Sequence, residues 1–369
     1  MPKLLGKTFT RKALLQRVGD MAQIAGAIDH VLSDGPSKGV RAVNVYTGSG
    51  FRFTVLPDRG MDIGAAEHAG RSLCWHSGTL PTHPGFYQPE GLEWLYGFYG
   101  GLMVSCGLSY FGAPCVDEGE PLGLHGRVSN IPAREVSVST GWDGNDYYVT
   151  LSGKVVEARV FGVHLSLERT LTAWAGENRV FVHDEVTNVG HASSPHMMLY
   201  HCNFGFPVVG GNSELVAPSR AVTPRDAEAE KGREDYARFH EPRKGWAEKV
   251  YYHELASRSN ETLAGIVNRA IDFGAYIRFR TDQLPLMVEW KQLGHGEYVV
   301  GLEPATNRVE GRDLCRALNT LEVLKPGQTK VYDLEIGALA GAEALKDFDR
   351  RVRGLAGRRR PRLKPRVSA

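Results

Sequence analysis

Residues 163–171 read VHLSLERTL, and this stretch decides the fold class because its apolar side chains recur at every second position. The valine and the leucines stand at positions 163, 165, 167 and 171, and polar side chains fill the positions between them. A period of two is that of a β-strand with one face against a core, whereas a helix repeats about every 3.6 residues. The segment therefore predicts a strand of an antiparallel sheet, with one buried and one polar face.

The same alternation recurs along most of the chain. Residues 43–55 carry it on both sides of the turn-like TGSG and indicate a β-hairpin. Further strand candidates are RVFVHDEVTNVG (179–190), YYVTLSGKV (147–155), FGAYIRFR (273–280), LPLMVEW (284–290) and KVYDLEIGAL (330–339). Helical periodicity is confined to RKALLQRVGDMAQIAG (11–26) and AGAEALKDFDRRVR (340–353). Many strands and two helices predict an all-β protein, a large antiparallel β-sandwich with minor peripheral helices.

The size and composition of the chain suit one large soluble domain. The hydrophobic fraction is 42% and the charged fraction is 23%, over 369 residues, and all-β architectures often reach this length as one unit. We expect residues 1–349 to form a single domain with a helical lead-in over about residues 1–35. Residues 223–249 are strongly charged and are interpreted as an exposed excursion between strands.

The formal net charge of +2 conceals an asymmetry. Residues 350–369 hold nine Lys/Arg and no acid, which leaves 35 basic and 42 acidic residues in the body, a net charge of −7. Such a run is typical of a disordered basic tail, and an arm for nucleic acid or an acidic partner is the alternative. An acidic body does not suit a nucleic-acid platform, so no nucleic-acid partner is predicted.

Several sequence features bear on location and cofactors. The five cysteines are odd in number, widely spaced and without a C-x-x-C pair, which favours free thiols in a reducing cytoplasm. No apolar run is long enough to span a membrane, and residues 1–26 lack the continuous apolar stretch of a signal peptide. No glycine-rich nucleotide-binding motif occurs. We therefore expect a cytoplasmic protein without a membrane partner or a cofactor.

Three segments place a titratable residue beside an apolar strand and a glycine. They are PLGLHGRVSN with His125, HMMLYHCNFGFP with His201, and GLEPATNRVEGR with Glu303. Histidine gives or takes a proton near neutral pH, and burial moves the pKa of a carboxyl group toward that range. Two histidines and a glutamate that converge on one pocket would therefore form a minimal general acid–base set.

Each of these residues also has a simpler interpretation. A histidine beside a strand is often a hydrogen-bonded structural residue, and Glu303 would be satisfied by an ion pair with Arg308 or Arg312. Two imidazoles and a carboxylate also form a common zinc site. The H-x-x-x-H spacing that usually announces such a site is absent, so no metal is predicted.

Taken together, the segments carry a family resemblance. PDRGMDIG, LHGR, RVFVHDEVTNVG followed by LYHCNFG, and GLEPATN occur in this order over roughly residues 40–340. The chain resembles the aldose 1-epimerase (galactose mutarotase-like) superfamily, and in particular its poorly characterised aldose-epimerase-like branch. The resemblance implies a galactose mutarotase-like β-sandwich and an isomerase that interconverts sugar anomers.

The resemblance also implies roles for the three titratable residues. His125 would bind and polarise the sugar ring oxygen, His201 would be the general acid, and Glu303 the general base. Two departures from the family pattern leave the sugar open: Cys202 follows the acid histidine, and Arg127 stands where the family has a glycine. The aspartate that grips sugar hydroxyls in the family is not identifiable, although Asp235 and Asp272 are candidates. Another sugar isomerase, epimerase or lyase, or a non-catalytic carbohydrate-binding protein, is the alternative function.

Further polar residues near these segments are candidates for binding the sugar. They are Arg127, Arg59, Trp290, Lys291, Asn307 and Arg312. Arg127 is the most suggestive of them, because a fixed guanidinium beside His125 suits a carboxylate, sulfonate or phosphate on the sugar. Arg59 alternatively stabilises a turn through a salt bridge. We expect a small-molecule sugar, with or without an anionic group, as the partner, and a homodimer is compatible with the exposed sheet edges.

Overall fold

The computed structural model describes residues 1–357 and 360–367, and β-strands dominate it. The strands are β1 Lys3–Leu4, β2 Lys7–Thr8, β3 Gly26–Val31, β4 Arg41–Tyr46, β5 Phe51–Leu56, β6 Asp62–His68, β7 Arg71–Ser72, β8 Val104–Cys106, β9 Cys115–Asp117, β10 Glu120–Leu122, β11 Arg134–Asp143, β12 Asp146–Ala158, β13 His164–Trp174, β14 Arg179–Asn188, β15 Ser194–His196, β16 Leu199–Phe204, β17 Ser213–Val216, β18 Ser219–Pro224, β19 Lys249–Leu255, β20 Glu261–Asn268, β21 Phe273–Arg280, β22 Leu286–Leu293, β23 Tyr298–Ala305, β24 Glu322–Leu324, β25 Thr329–Ala340 and β26 Arg362–Leu363. The α-helices are α1 Arg11–Leu15, α2 Ala227–Glu230, α3 Arg312–Ala317 and α4 Ala342–Ala356. Short 3₁₀ turns span Met21–Gln23, Gly35–Ser37, Pro84–Phe86, Glu93–Gly97, Val128–Asn130 and Arg233–Asp235.

Three large sheets make up the fold. An eight-stranded sheet has the order β11-β12-β13-β14-β25-β21-β20-β17, a seven-stranded sheet the order β26-β18-β19-β22-β23-β16-β8, and a five-stranded sheet the order β3-β4-β5-β6-β7. Every strand pair in these sheets is antiparallel except β18 with β26. The prediction of an all-β antiparallel sandwich with few helices is confirmed.

The largest apolar cluster fills the space between the eight- and seven-stranded sheets. Leu167 and Val182 contribute to it from the first sheet, and Cys202 and Leu302 from the second. Because side chains alternate along a strand, the neighbours of Cys202 and Leu302 point away from this core. The outward face of the seven-stranded sheet carries a second apolar cluster, with Leu199, Val288 and Ala305 under the loops that contain Trp94 and Phe98.

A buried ionic network joins the three sheets. Arg169 lies on the same face of β13 as Leu167. Its guanidinium contacts Asp184 of β14 at 2.6 Å and Asp62 of β6 at 3.1 Å. The Tyr200 hydroxyl on β16 donates to the same Asp184 carboxylate at 2.7 Å. The side chains of Arg169, Asp62 and Asp184 are fully buried. Paired charges at this depth are tolerated only because each one is compensated by its partners.

Two predictions for the chain ends need correction. Only Arg11–Leu15 of the expected helix over residues 11–26 is helical, and Gly26–Val31 is a strand. Gly19 disfavours helix propagation, and the Asp20 side chain accepts a hydrogen bond from the Ala22 amide, which starts a separate turn.

The basic tail expected over residues 350–369 is in large part structured. Residues 350–356 belong to α4, whose apolar side chains Leu345, Phe348 and Val352 pack on the eight-stranded sheet. Residues 360–367 lie along β18, and residues 358, 359, 368 and 369 fall outside the described residues. In the described part of the chain, no helix combines the length and the apolarity needed to cross a bilayer.

We expect Arg169→Met to lower the free energy of unfolding by about 3–5 kcal/mol, because two buried carboxylates lose their common partner. Urea unfolding monitored by circular dichroism measures this. The matched control is Arg41→Met, which breaks a contact with Asp29 between partly exposed side chains and costs at most about 1 kcal/mol. Equal losses for both variants would mean that the buried network does not stabilise the sandwich.

Candidate active site

His201 and Glu303 face each other across two antiparallel strands. The pairs Leu199–Ala305 and Cys202–Leu302 set the register of β16 and β23, which places His201 opposite Glu303 on the outward face of the seven-stranded sheet. Directly opposed residues of an antiparallel pair have Cβ atoms about 4.5–5.5 Å apart. His201 Nε2 accordingly lies 3.2 Å from Glu303 Oε1. The sandwich therefore holds an imidazole and a carboxyl group in contact.

Both groups are almost completely buried. Glu303 is 2% exposed and His201 5% exposed. Burial, aided by the charge of Glu248, raises the pKa of Glu303 well above its usual range. Burial and the neighbouring His125 lower the pKa of His201 well below its usual range. The two shifts have opposite directions, and each favours the neutral form of its group, a protonated Glu303 and an unprotonated His201.

Neither group is fully satisfied within the protein. The His201–Glu303 contact is not aligned as a hydrogen bond, and Glu303 Oε1 and His201 Nδ1 are buried without a hydrogen-bond partner among the described residues. Buried polar atoms are normally paired, so unpaired ones indicate a role that a ligand completes. The arrangement can take a proton at the carboxylate and give one from the imidazole, which is what general acid–base chemistry requires.

Gly301 makes room for the Glu303 carboxyl group. A Cβ atom at this position would stand 2.3 Å from Glu303 Oε1 and 3.2 Å from the Trp290 Cβ. Gly301 pairs with Trp290 on one side and with Asn203 on the other. The missing side chain therefore lets the carboxyl group fold back toward His201.

Aromatic side chains surround the His201 ring. The centroids of Phe98, Trp290 and His125 lie 5.1, 5.4 and 5.7 Å from it. The Trp75 ring closes the same group, 6.0 Å from Phe98 and 6.4 Å from Trp290. Aromatic faces of this kind stack on apolar C–H surfaces and exclude water from the pair.

His125 occupies a strained turn at the rim of this group. Its φ of +57° lies in the left-handed region, which a side chain with a Cβ rarely adopts. The turn is fixed by hydrogen bonds from the His125 amide to the Gly112 carbonyl and from the Tyr87 hydroxyl to the Gly126 carbonyl. Strain maintained by the surroundings is common at functional sites. Burial against Trp94, 4.9 Å away, lowers the pKa of His125 to about 4, so its imidazole is neutral near pH 7.

A polar chain that the sequence did not reveal lies beside Trp290. The Trp290 indole donates to Glu248 at 2.7 Å, and Arg225 donates to the other oxygen of Glu248 at 2.9 Å. Both charged residues lie within residues 223–249, near the two ends of the segment interpreted from sequence as an exposed excursion. The contact between Glu248 and Trp290 depends on the pairing of β19 with β22. The sequence alone therefore does not distinguish Glu248 from the other charged residues of this segment.

Of the other predicted binding residues, Trp290 contacts the candidate site, whereas Arg127 follows His125 by two residues and Asn307 follows the strand of Glu303. Arg127 is exposed, with its guanidinium 5.8 Å from the Tyr87 ring centroid. Trp290 forms part of the aromatic wall. Asn307 follows β23, donates to the Thr320 carbonyl at 2.8 Å and keeps a buried side-chain oxygen without a partner in the described chain.

Three other predicted binding residues form hydrogen bonds or ion pairs within the protein. Arg59 is 1% exposed and donates to the carbonyls of Ser129, Thr82 and Gly97. It does support a turn, as the sequence alternative proposed, but through carbonyl groups rather than a salt bridge.

Lys291 and Arg312 also bond to other groups of the protein. The Lys291 ammonium is buried and donates to the carbonyls of Asp235, Tyr236 and Arg238. Arg312 pairs with Asp117 at 2.6 Å and with Glu120 at 2.8 Å. Arg59, Lys291 and Arg312 are therefore buried side chains that bond to other parts of the protein.

Neither of the two arginines suggested as ion-pair partners of Glu303 pairs with it in the structure. Arg312 is paired elsewhere, and the Arg308 guanidinium lies over the Tyr252 ring at 5.3 Å. Asp272 lies in the turn between β20 and β21, and Asp235 lies beside Arg238 on the excursion. In residues 1–357 and 360–367, no group of three His, Cys, Asp or Glu side chains has the geometry of a metal site.

Two surface cavities, of about 310 and 550 Å³, lie elsewhere, on the five-stranded sheet and around the N-terminal residues. Neither is lined by His125, His201 or Glu303. The candidate site is therefore defined by the buried contact between His201 and Glu303 rather than by a cavity.

We expect Gly301→Ala to destabilise the protein by about 1–3 kcal/mol, because the new methyl group overpacks the Glu303 carboxyl group. The cost should shrink when Glu303→Ala is combined with it, although the contact with Trp290 remains. Urea unfolding of the two single variants and the double variant measures this coupling. Gly294→Ala, whose Cβ would meet no atom closer than 3.4 Å, is the control, and strict additivity would contradict the proposed contact.

We expect Glu303→Gln to gain stability relative to the wild type as the pH rises. In the unfolded chain the carboxyl group ionises near its usual pKa of 4.5, whereas burial raises the pKa in the folded state. The wild type therefore loses up to about 1.4 kcal/mol per pH unit above 4.5, until the folded-state pKa is reached. Thermal unfolding at pH 4.5 to 8 tests this, with the exposed Glu297→Gln as a control. A difference that does not change with pH would contradict it.

Comparisons with known proteins agree with the fold and with the family. The family model of a domain of unknown function (DUF4432) matches residues 37–338. No curated protein matches the chain. A crystal structure of a "putative aldose 1-epimerase" from Klebsiella pneumoniae is 26% identical, with a TM-score of 0.88, and the alignment covers 98% of this chain and 99% of that one.

More distant structures share the fold alone. A galactose mutarotase-like protein from Clostridium acetobutylicum and a galactose 1-epimerase from Lactobacillus acidophilus are 13% and 12% identical, with TM-scores of 0.56 and 0.54. Each alignment covers 86% of this chain and 99% of the other. The predicted resemblance to the galactose mutarotase-like superfamily is confirmed. Since the family model spans most of the sequence, the chain belongs to the family of the domain of unknown function DUF4432, with a galactose mutarotase-like β-sandwich fold.

Proposed function

We propose that this protein interconverts the α and β anomers of an aldose or aldose-like sugar by general acid–base catalysis. The observation that carries the proposal is the buried contact of 3.2 Å between His201 and Glu303 on the outward face of the sheet. A sugar-binding module has no need of an acid and a base in contact with each other. The aldose 1-epimerase name of the Klebsiella pneumoniae relative supports the same reaction class.

The reaction consists of proton transfers and one bond cleavage. The reactive form of the pair has Glu303 as the carboxylate and His201 as the imidazolium, so its proton is on the imidazole. The Glu303 carboxylate takes the proton of the anomeric hydroxyl as the bond between C1 and the ring oxygen breaks, and His201 protonates the ring oxygen. After rotation about the C1–C2 bond the ring closes on the other face of the aldehyde, and both transfers run in reverse. No cofactor takes part in these steps.

The surroundings of His201 and Glu303 support this assignment of the protons. The aromatic wall of Phe98, Trp75 and Trp290 lowers the local polarity, so charges that form in the transition state interact strongly with the fixed groups. A neutral His125 beside His201 donates a hydrogen bond to the ring oxygen without competing for the proton. The neutral state follows from its lowered pKa of about 4.

Arg127 suits a sugar that carries an anionic substituent. Its side chain is exposed and has no carboxylate partner among the described residues. It follows His125 by two residues, so it stands at the rim where a substituent of the sugar ring would project. A planar guanidinium binds carboxylate, sulfonate and phosphate groups through two parallel hydrogen bonds. We therefore include acidic sugars in the substrate class.

Anomer exchange measured by NMR over a panel of neutral and acidic sugars tests the proposal. We expect the wild type to accelerate exchange, and Glu303→Gln to lose at least about 10²-fold in rate while it remains folded. Arg127→Gln should slow exchange of acidic sugars and leave neutral ones unchanged. Glu297→Gln, an exposed substitution near β23, is the control.

Other outcomes would replace the proposal. Signals of a new compound would identify another isomerase, an epimerase at a different carbon, or a lyase. Chemical-shift changes of a sugar without turnover would identify a binding protein. An unaffected exchange rate in folded Glu303→Gln would remove Glu303 from the base role.

A further inference from the structure

Residues 360–367 form a basic strap along the edge of the sheet that carries the candidate site. Ala221 and Val222 of β18 pair in parallel with Arg362 and Leu363 of β26. The contact continues beyond the strand, because the Lys364 amide donates to the Val222 carbonyl at 2.9 Å and the Val367 amide to the Pro224 carbonyl at 3.1 Å. The strap therefore follows β18 to its last residue.

Two apolar side chains anchor the strap. Leu363 packs against the buried cluster of Val222, Ala229 and Tyr251. Val367 packs against the apolar cluster on the outward face of the seven-stranded sheet, the cluster that lines the candidate site. The strap therefore reaches from the edge of the sheet to the site face.

Charge complementarity adds to this packing. Lys364 forms an ion pair with Glu254, and the Arg366 amide donates to the Glu230 carboxylate at 3.1 Å. Glu230 lies on α2, within the charged excursion that covers this end of the sheet. The basic run thus finds acidic partners within its own chain.

The end of β18 leads directly to the wall of the site. Arg225 follows Pro224, whose carbonyl accepts the bond from Val367. The Arg225 guanidinium donates to Glu248, which accepts the indole proton of Trp290. The Trp290 ring lies 5.4 Å from the His201 ring. Four successive contacts therefore connect the strap to the proposed acid.

We propose that the basic strap is a positioning element of the substrate pocket, which fixes the Arg225–Glu248–Trp290 wall from behind. Its residues touch neither His201 nor Glu303, so it acts through the wall rather than on the reacting atoms. The effect of the strap on substrate binding rests on the proposed function, whereas its effect on the position of Trp290 does not.

The double substitution Leu363→Asp with Val367→Asp, in the full chain, tests the proposal. The two carboxylates cannot remain against apolar clusters, so the strap is released while its length and all of its basic residues are kept. We expect the indole N–H resonance of Trp290, assigned with Trp290→Phe, to shift as its bond to Glu248 weakens. We also expect KM to rise by about tenfold with a smaller change in kcat, as when one hydrogen bond to a charged group is lost.

Two further variants keep this test specific. Leu363→Ile with Val367→Ile preserves both anchors and should restore the Trp290 resonance and KM. Arg362→Ser alters an exposed side chain of the strap and should change neither. Thermal unfolding of each variant reveals any general loss of folding.

The outcomes separate the strap from the proposed reaction. An unchanged Trp290 resonance in the folded Asp double variant would overturn the proposal, as would an equal shift in Arg362→Ser. A rise in KM without any shift of that resonance would also overturn it, since the wall would not be the link. If the wild type exchanges no sugar while the Trp290 resonance still responds to the strap, the proposed function fails and the positioning of the wall stands.

Discussion

The site depends most on the buried ion pairs that the Arg169 guanidinium forms with two carboxylates. This guanidinium binds Asp62 of the five-stranded sheet and Asp184 of the eight-stranded sheet, and Asp184 in turn accepts the hydroxyl proton of Tyr200. Tyr200 precedes His201 on β16, and adjacent residues of a strand point to opposite faces. The network behind the sheet therefore sets where the imidazole stands in front of it. A shift of one residue in this strand would exchange the two faces, and the pairing of Tyr200 with Asp184 opposes it.

The same alternation makes the site costly to fold. Glu303 shares its strand with Leu302, which fills the core, while its own carboxyl group is removed from water with an incomplete set of partners. A sequence selected for stability alone would place an apolar residue there. The opposed pKa shifts of Glu303 and His201 are the direct result of this burial. Strongly shifted pKa values cluster at functional sites, so this costly burial marks His201 and Glu303 as candidates for proton transfer.

The sequence predicts the strands because alternation is a local pattern, and it singles out His201 and Glu303, which the structure brings into contact. The sequence does not show that Arg59, Lys291 and Arg312 bond within the protein, because their partners are carbonyls and carboxylates that only the fold brings near. It also does not single out Arg169, which interrupts the apolar face of β13. Composition suggested disorder for the basic tail, whereas Leu363 and Val367, with acidic partners on α2 and β19, attach it to the sheet.

The two sides of the site differ in charge, and this difference constrains how a substrate would lie. Glu248, held by Arg225, stands beside Trp290, and its carboxylate raises the pKa of Glu303. An anionic group on that side would meet like charge and would raise that pKa further. Arg127 follows His125 by two residues and has no carboxylate partner among the described residues. If the proposed reaction acts on an acidic sugar, we expect that sugar to bind with its anionic group toward Arg127 and away from Glu248.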